Sequence, residues 1–141
     1  MLGSFLRRLH RVPVAALDGA VPVEREPLAS WLSQARREYV EVRDAVPPAR
    51  RAPIEIFLSS PPPPDPTITA LCHNDLGTEH LLVDPATGTI TGIIDWGDAA
   101  ITDPAYDLAL ILRDLGADVL RTVLDAYDDS YDAGEDAQPL R

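Results

Sequence analysis

The sequence has no lysine: all twelve of its basic residues are arginine. It has one cysteine, Cys72, and one methionine. A single thiol excludes a disulfide framework and suits a reducing, cytoplasmic compartment. Apolar runs stay well below the ~20 residues needed to cross a bilayer, so no membrane partner is expected. Positive charge is scarce over half the chain. Residues 1–74 carry nine arginines against eight acids, whereas residues 75–141 carry three against fifteen, and the net charge is −11. So acidic a half disfavours nucleic acid, whose phosphates need a basic surface. It suits a metal ion or a cationic small molecule.

The remaining composition is that of an ordinary globular protein. With 141 residues and 45% hydrophobic content, the chain is long enough for one domain with a real core and too apolar for a disordered segment. The opening stretch MLGSFLRRLHR lacks acids, as transit peptides do. Its Leu2, Phe5, Leu6 and Leu9 also fall at i, i+3, i+4 and i+7, the spacing of a core-facing helix, and the helix is the reading the spacing favours.

A second helix is predicted from near Pro27 to about Val46, with Leu28, Trp31, Leu32, Ala35, Tyr39 and Val42 on one face and Pro47-Pro48 as its stop. IEIFL (54–58) reads as another helical turn. SSPPPPDP (59–66) reads as an extended polyproline connector. A role as a ligand for a proline-recognition domain is the lesser reading, since no basic residue flanks the run. Strands are predicted at 69–72, 81–84 and 91–96, the last two joined by the turn-rich PATGT. Asp103 then reads as an N-cap, with Pro104 at the first helical position and Gly116 as the stop. Leu108 to Leu112 is apolar all round and predicts a helix inside the domain. A further helix uses Val119, Leu120, Val123, Leu124 and Tyr127, and an acidic tail covers 129–141.

Chemistry concentrates in LCHNDLGTEH (71–80), followed at the end of the next hairpin by Ile94-Asp95-Trp96. His73-x-Asp75, His80 and Asp95 put one carboxylate on a loop and a second beyond a hairpin, so both can face one cleft. Phosphoryl transfer uses such a pair: one carboxylate takes the proton of the acceptor hydroxyl, the other holds the metal that neutralises the phosphates. The chemical alternative is a zinc site built from His73, Asp75 and His80, as in a metallohydrolase, although it leaves Asp95 unexplained.

These residues resemble the aminoglycoside phosphotransferase family, which shares the protein-kinase fold. LCHNDLGTEHLLVD resembles its catalytic loop, GIIDWGDAAITDPAYDLA its metal loop and following helix, and LGSFLRRLH the helix after the hinge between lobes. The resemblance implies an α+β, mainly helical fold: the C-terminal lobe of a kinase-like protein, with a small hairpin carrying both loops. As one domain (1–141) it divides into a helical substrate-side region (2–58), a Pro-rich connector (59–68), the catalytic and metal loops (69–98), core helices (103–128) and the acidic tail. The resemblance makes Asp75 the catalytic base. It makes Asp95 a metal and cofactor ligand, with His80 as its partner where most of the family has asparagine; macrolide phosphotransferases also carry histidine there. His73, Asn74, Asp98 and Asp107 become structural supports, with Asp107 accepting hydrogen bonds from the backbone near His73. Glu79 reads as a solvated loop acid.

The implied reaction is ATP- and Mg2+-dependent phosphorylation of a hydroxyl on an aminoglycoside, a macrolide or a metabolite, with antibiotic resistance as one outcome. No G-x-G-x-x-G, no G-x-x-x-x-G-K and no lysine occur in the sequence. The expectation is therefore a lobe without its nucleotide-cradling partner, inactive or nearly so by itself, with an uncovered apolar face that favours self-association. The alternative from another class is a non-catalytic binding module, or a decayed kinase fragment, that kept the acidic cleft.

Overall fold

The computed structural model describes residues 2–17 and 19–128; the acidic tail expected at 129–141 lies outside the described residues. Residues 25–67 form one compact unit, and the rest of the described chain forms another that carries all the chemistry noted above.

In the larger unit, α1 (Leu2–His10) buries Leu2, Leu6 and Leu9, the stripe its spacing predicts, while Phe5 is left partly exposed. These three leucines join Leu76, Ile111 and Val123 in one core cluster. Each fully buried aliphatic side chain contributes about 1.5–3 kcal/mol, so this cluster is the main source of stability near the site. The partner of α1 is α4 (Ala105–Asp128), and the two pack closely at Gly3. A Cβ added there would strike the carbonyl oxygen of Val123 and crowd Ala126 and Tyr127.

The break expected at Gly116 is present: its φ of 83° and ψ of 173° interrupt α4 in a conformation that L side chains rarely adopt. Asp103 caps the helix as expected, its Oδ1 accepting the Ala105 amide at 2.9 Å. The all-round apolar run is not interior, however. Ile111 is 1% exposed while Leu112 is 47% exposed, because only the face bearing Asp107 and Ile111 meets the core.

Two small antiparallel sheets hold the loops. In one, β1 (Ala70–Cys72) pairs with β4 (Ala100–Thr102), Leu71 opposite Ile101. The sequence reading missed β4, since three residues are too few to show an alternation. Its other edge is also paired: Ile101 donates to the Pro22 carbonyl and accepts from the Glu24 amide. In the second sheet, β2 (Leu81–Val83) pairs with β3 (Ile90–Ile93), and Gly88 at φ 66° closes the hairpin turn. The predicted strand at 91–96 thus stops early, because Asp95 turns left-handed at φ 63°.

The 25–67 unit pairs α2 (Leu28–Val42) with α3 (Pro48–Ser59). After Val42 the helical run tightens into a 3-10 turn, Arg43–Ala45, and ends ahead of Pro47-Pro48 as expected, but those prolines open a full helix rather than precede a single turn at 54–58. Glu55 joins the pair, accepting from the Tyr39 hydroxyl and the Arg43 guanidinium. The Pro-rich stretch forms no regular element, but Asp65 in it accepts the Leu28 amide at 2.8 Å and supplies the acceptor that Pro27 cannot offer α2. Among the described residues no helix is long and apolar enough to cross a membrane.

Gly3→Val should lower the melting temperature of the chain, by about 1–3 kcal/mol in stability, because the new side chain has nowhere to go. An unchanged melting curve would show that α1 does not approach α4 this closely.

Candidate active site

The site begins with a buried acid. Asp107 lies in the first turn of α4 and is 0% exposed. Its Oδ2 accepts the His73 amide at 3.0 Å and its Oδ1 the Asn74 amide at 2.8 Å. Those two bonds fix the start of the loop that follows β1. Leu76, 1% exposed, anchors its middle in the core. Near its far end the Thr78 amide points at Asp114 Oδ2, 3.4 Å away, and Asp114 is held by Nε and Nη2 of Arg113. Asp107, Ile111 and Asp114 stand at i, i+4 and i+7, so a single face of α4 carries the whole loop.

His73 is fully buried and has no nitrogen to spare. Its Nε2–H donates to the Ile94 carbonyl at 2.9 Å, and its Nδ1 faces the Asp75 amide at 3.4 Å. The Trp96 ring lies against it, centroids 4.6 Å apart, and Phe5 of α1 meets Trp96 edge-on. The histidine thereby ties the loop to the end of the hairpin. Asn74 sits at φ 67°. Left-handed backbone costs most residues about 1–2 kcal/mol, and asparagine is among the few non-glycine residues that tolerate it.

The turn that follows brings the chemical groups together. His80 is 13% exposed at its side chain and lies between two carboxylates: Nδ1 is 3.7 Å from Asp75 Oδ2 and Nε2 is 3.6 Å from Asp95 Oδ2. Nδ1–H also donates to the Asp75 backbone carbonyl at 2.6 Å. That bond fixes the tautomer, so in the neutral ring the bare nitrogen is Nε2, aimed at Asp95. The Asp75 hydrogen bond raises the imidazole pKa above its usual 6.5; the negative charges of Asp75, Asp95 and Glu79 add to this, while desolvation opposes it. A proton and a metal ion would compete for the same lone pair.

Asp75 is 41% exposed and Asp95 66% exposed at the side chain. Asp75 lines an open cleft of about 430 Å³ together with Asn74, Gly97, Asp98, Glu24 and Pro22. Asp98 is exposed at this cleft, and Glu79 is exposed beside the loop. Another concavity, about 510 Å³ along α3 and the turn that precedes it, is lined by Val46, Pro47, Arg50, Pro53, Ile54 and Phe57 and has no converging acids.

One imidazole nitrogen and one carboxylate fit a divalent cation that completes its shell with water and phosphate oxygens. A zinc site that includes His73 does not fit, since both its nitrogens are engaged. Among the described residues another trio has ligand atoms within 4.8 Å of one another: His10, Cys72 and Asp107. Both His10 nitrogens and both Asp107 oxygens are already engaged in hydrogen bonds, and burial pushes the Cys72 thiol up to about 12. The sequence reading overlooked the place of His10 and Tyr127 beside Asp107; the only local signal was a histidine at the inner end of an apolar helix.

The sequence profile of the phosphotransferase enzyme family matches residues 1–140. The streptomycin 3''-kinase of Streptomyces griseus is 34% identical over 114 residues, 76% of this chain and 42% of that protein. Among solved structures, the GDP complex of an aminoglycoside 2'-phosphotransferase-IIIa superposes with a TM-score of 0.72 at 28% identity, over 89% of this chain and 44% of that one. A macrolide 2'-phosphotransferase type I superposes with a TM-score of 0.61 at 27% identity, over 98% of this chain and 46% of its own. The chain thus spans less than half the length of these relatives, and the fold they share with it is kinase-like.

Two measurements test the local chemistry. Asp107→Ala should cost on the order of 1–3 kcal/mol by leaving buried amides unpaired; a parent-like melting temperature would remove its supporting role. In the metal-free chain the His80 Cε1–H resonance should titrate above 6.5, and Asp95→Asn should bring the midpoint down. Because the folded midpoint is raised, the histidine's contribution to stability is complete below about 6.5 and is lost as pH climbs through that midpoint.

Proposed function

The chain belongs to the phosphotransferase enzyme family, and on that premise we propose that it forms the acceptor and metal side of a small-molecule kinase. The reaction is transfer of a phosphoryl group from a nucleoside triphosphate to a hydroxyl of an aminoglycoside, a macrolide or a related cationic metabolite. The observation that carries this reading is the convergence of Asp75, His80 and Asp95 around one imidazole at 3.6–3.7 Å.

The division of labour follows from the environments. Asp75, at the cleft wall, orients the acceptor hydroxyl and takes its proton as the oxygen attacks. Asp95 and the bare Nε2 of His80 would hold a divalent cation, magnesium in the proposed enzyme, whose charge would offset that of the phosphates. His73, Asn74 and Asp107 keep Asp75 aimed, and that is how a fold contributes when catalysis is mostly positioning. Glu24, Asp75 and Asp98 make the cleft wall acidic, which supports a cationic acceptor. The GDP bound by the solved relative supports a purine nucleotide as donor. The streptomycin kinase and macrolide phosphotransferase relatives support the acceptor classes.

The experiment is a calorimetric titration of Mn2+, and then of Mg–ATP and Mg–GTP, into the full chain, followed by phosphate-transfer assays with aminoglycoside and macrolide panels. Cation binding should drop at least tenfold in both His80→Ala and Asp95→Ala. Mg-nucleotide should bind no better than about millimolar, since a contact made mainly through a hydrated metal is weak. Any measurable transfer should fall by about a hundred- to ten-thousand-fold in Asp75→Asn. Cation binding indifferent to both ligand variants would sink the assignment of the metal side. Acceptor binding that needs neither metal nor nucleotide would favour a non-catalytic binding module instead.

A further inference from the structure

His10 takes no part in the chemistry above, yet it is the third group that faces Asp107. Its side chain is 2% exposed, and its Nε2 lies 3.1 Å from Asp107 Oδ2. Its other nitrogen, Nδ1, lies 3.0 Å from the Tyr127 hydroxyl. Both oxygens of Asp107 already accept amide N–H groups, so the carboxylate is the acceptor toward His10 as well. Nε2 therefore carries the proton. In the neutral ring Nδ1 is then an acceptor, and the Tyr127 O–H supplies its proton. Burial raises the Tyr127 pKa, which keeps that hydroxyl a donor. Every hydrogen in the chain points one way: from Tyr127 to His10, and from His10 to the carboxylate that holds the loop amides.

The topology makes this more than a local contact. Asp107 and Tyr127 belong to the same helix, α4, twenty positions apart. In a continuous helix they would be separated by roughly 30 Å, at 1.5 Å per residue. Here they bind opposite edges of one imidazole. The break at Gly116, with its positive φ, is what allows it. The close fit of Gly3 against Val123 and Tyr127 seats α1 so that its last residue reaches between the two halves.

We propose that His10 is a positioning residue of the 73–80 loop, locked in its Nε2–H tautomer by Tyr127, and that it couples the second half of α4 to the backbone ahead of Asp75. In this arrangement Tyr127 and His10 set the rotamer of Asp107. Asp107 in turn fixes the two amides from which the loop departs. The proposal rests on the proposed function only in treating Asp75 as the group worth aiming; the hydrogen-bond chain itself stands without it.

The test uses the full chain and does not depend on phosphate transfer, so failure of the phosphotransferase reading and failure of this one are told apart. Imidazole 15N spectra should show His10 protonated at Nε2 and bare at Nδ1. Amide hydrogen exchange is then compared at His73 and Asn74 and at Ile111 and Val123 as core references. His10→Leu keeps the apolar bulk but removes both bonds, and it should speed exchange at His73 and Asn74 about tenfold more than at the references, the equivalent of one hydrogen bond. Tyr127→Phe, which keeps the ring packing and is expected to fold, should give a smaller shift of the same kind. His10→Gln can donate to Asp107 and accept from Tyr127, and it should restore most of the protection. Equal acceleration at the loop and the references would reduce His10 to ordinary core packing and overturn the proposal. So would an Nδ1–H tautomer in the parent chain, or parent-like loop protection in both His10→Leu and Tyr127→Phe.

Discussion

A carboxyl group removed from water is costly unless its lone pairs are filled, and Asp107 is removed from water completely. It offsets that cost with three N–H partners, two from the backbone of His73 and Asn74 and one from the His10 ring. The consequence reaches beyond the acid. Two consecutive amides can share one carboxylate only if the chain leaves β1 in one direction, and that direction carries Asp75 to the cleft. The left-handed backbone at Asn74 is the local form of the same constraint. The loop's geometry is thus fixed by a side chain thirty-odd residues away rather than by the loop's own sequence.

The part of the site around His80 and Asp95 is organised on the same plan with less burial. His73 is spent on architecture: one nitrogen on the Ile94 carbonyl, the ring against Trp96. It brings the end of the hairpin to the loop and leaves His80 free for chemistry. Of the three histidines, two are structural and buried while the third faces the two acids, and their hydrogen-bond partners rather than their identity decide which is which. Left-handed backbone recurs at Asn74, beside Asp75, and at Asp95 itself. Such strain persists only where the surroundings over-determine it.

Much of this was legible in the residues. The helical stripe of α1, the Asp103 cap, the stop at Gly116, the hairpin at 81–93 and the order His73, Asp75, His80, Asp95 all follow from local chemistry or short spacing. The failures have physical causes as well. β4 is three residues long and shows no alternation. Pro47-Pro48 is equally a stop and a start, and only the partner helix shows that α3 begins there. Leu112 was expected inside because its neighbours are apolar, yet α4 turns just one face to the core.

The sequence by itself determined the kinds of element, the family resemblance and the candidate carboxylates, because these depend on residue type and near-neighbour spacing. Tertiary structure alone decided which nitrogen of each histidine is engaged, since that depends on partners remote in the chain. It also decided that His10 and Tyr127 share a network with Asp107. No periodicity relates residues 10, 107 and 127; they meet because Gly116 breaks α4 and Gly3 lets α1 lie close enough for an imidazole to span the two halves.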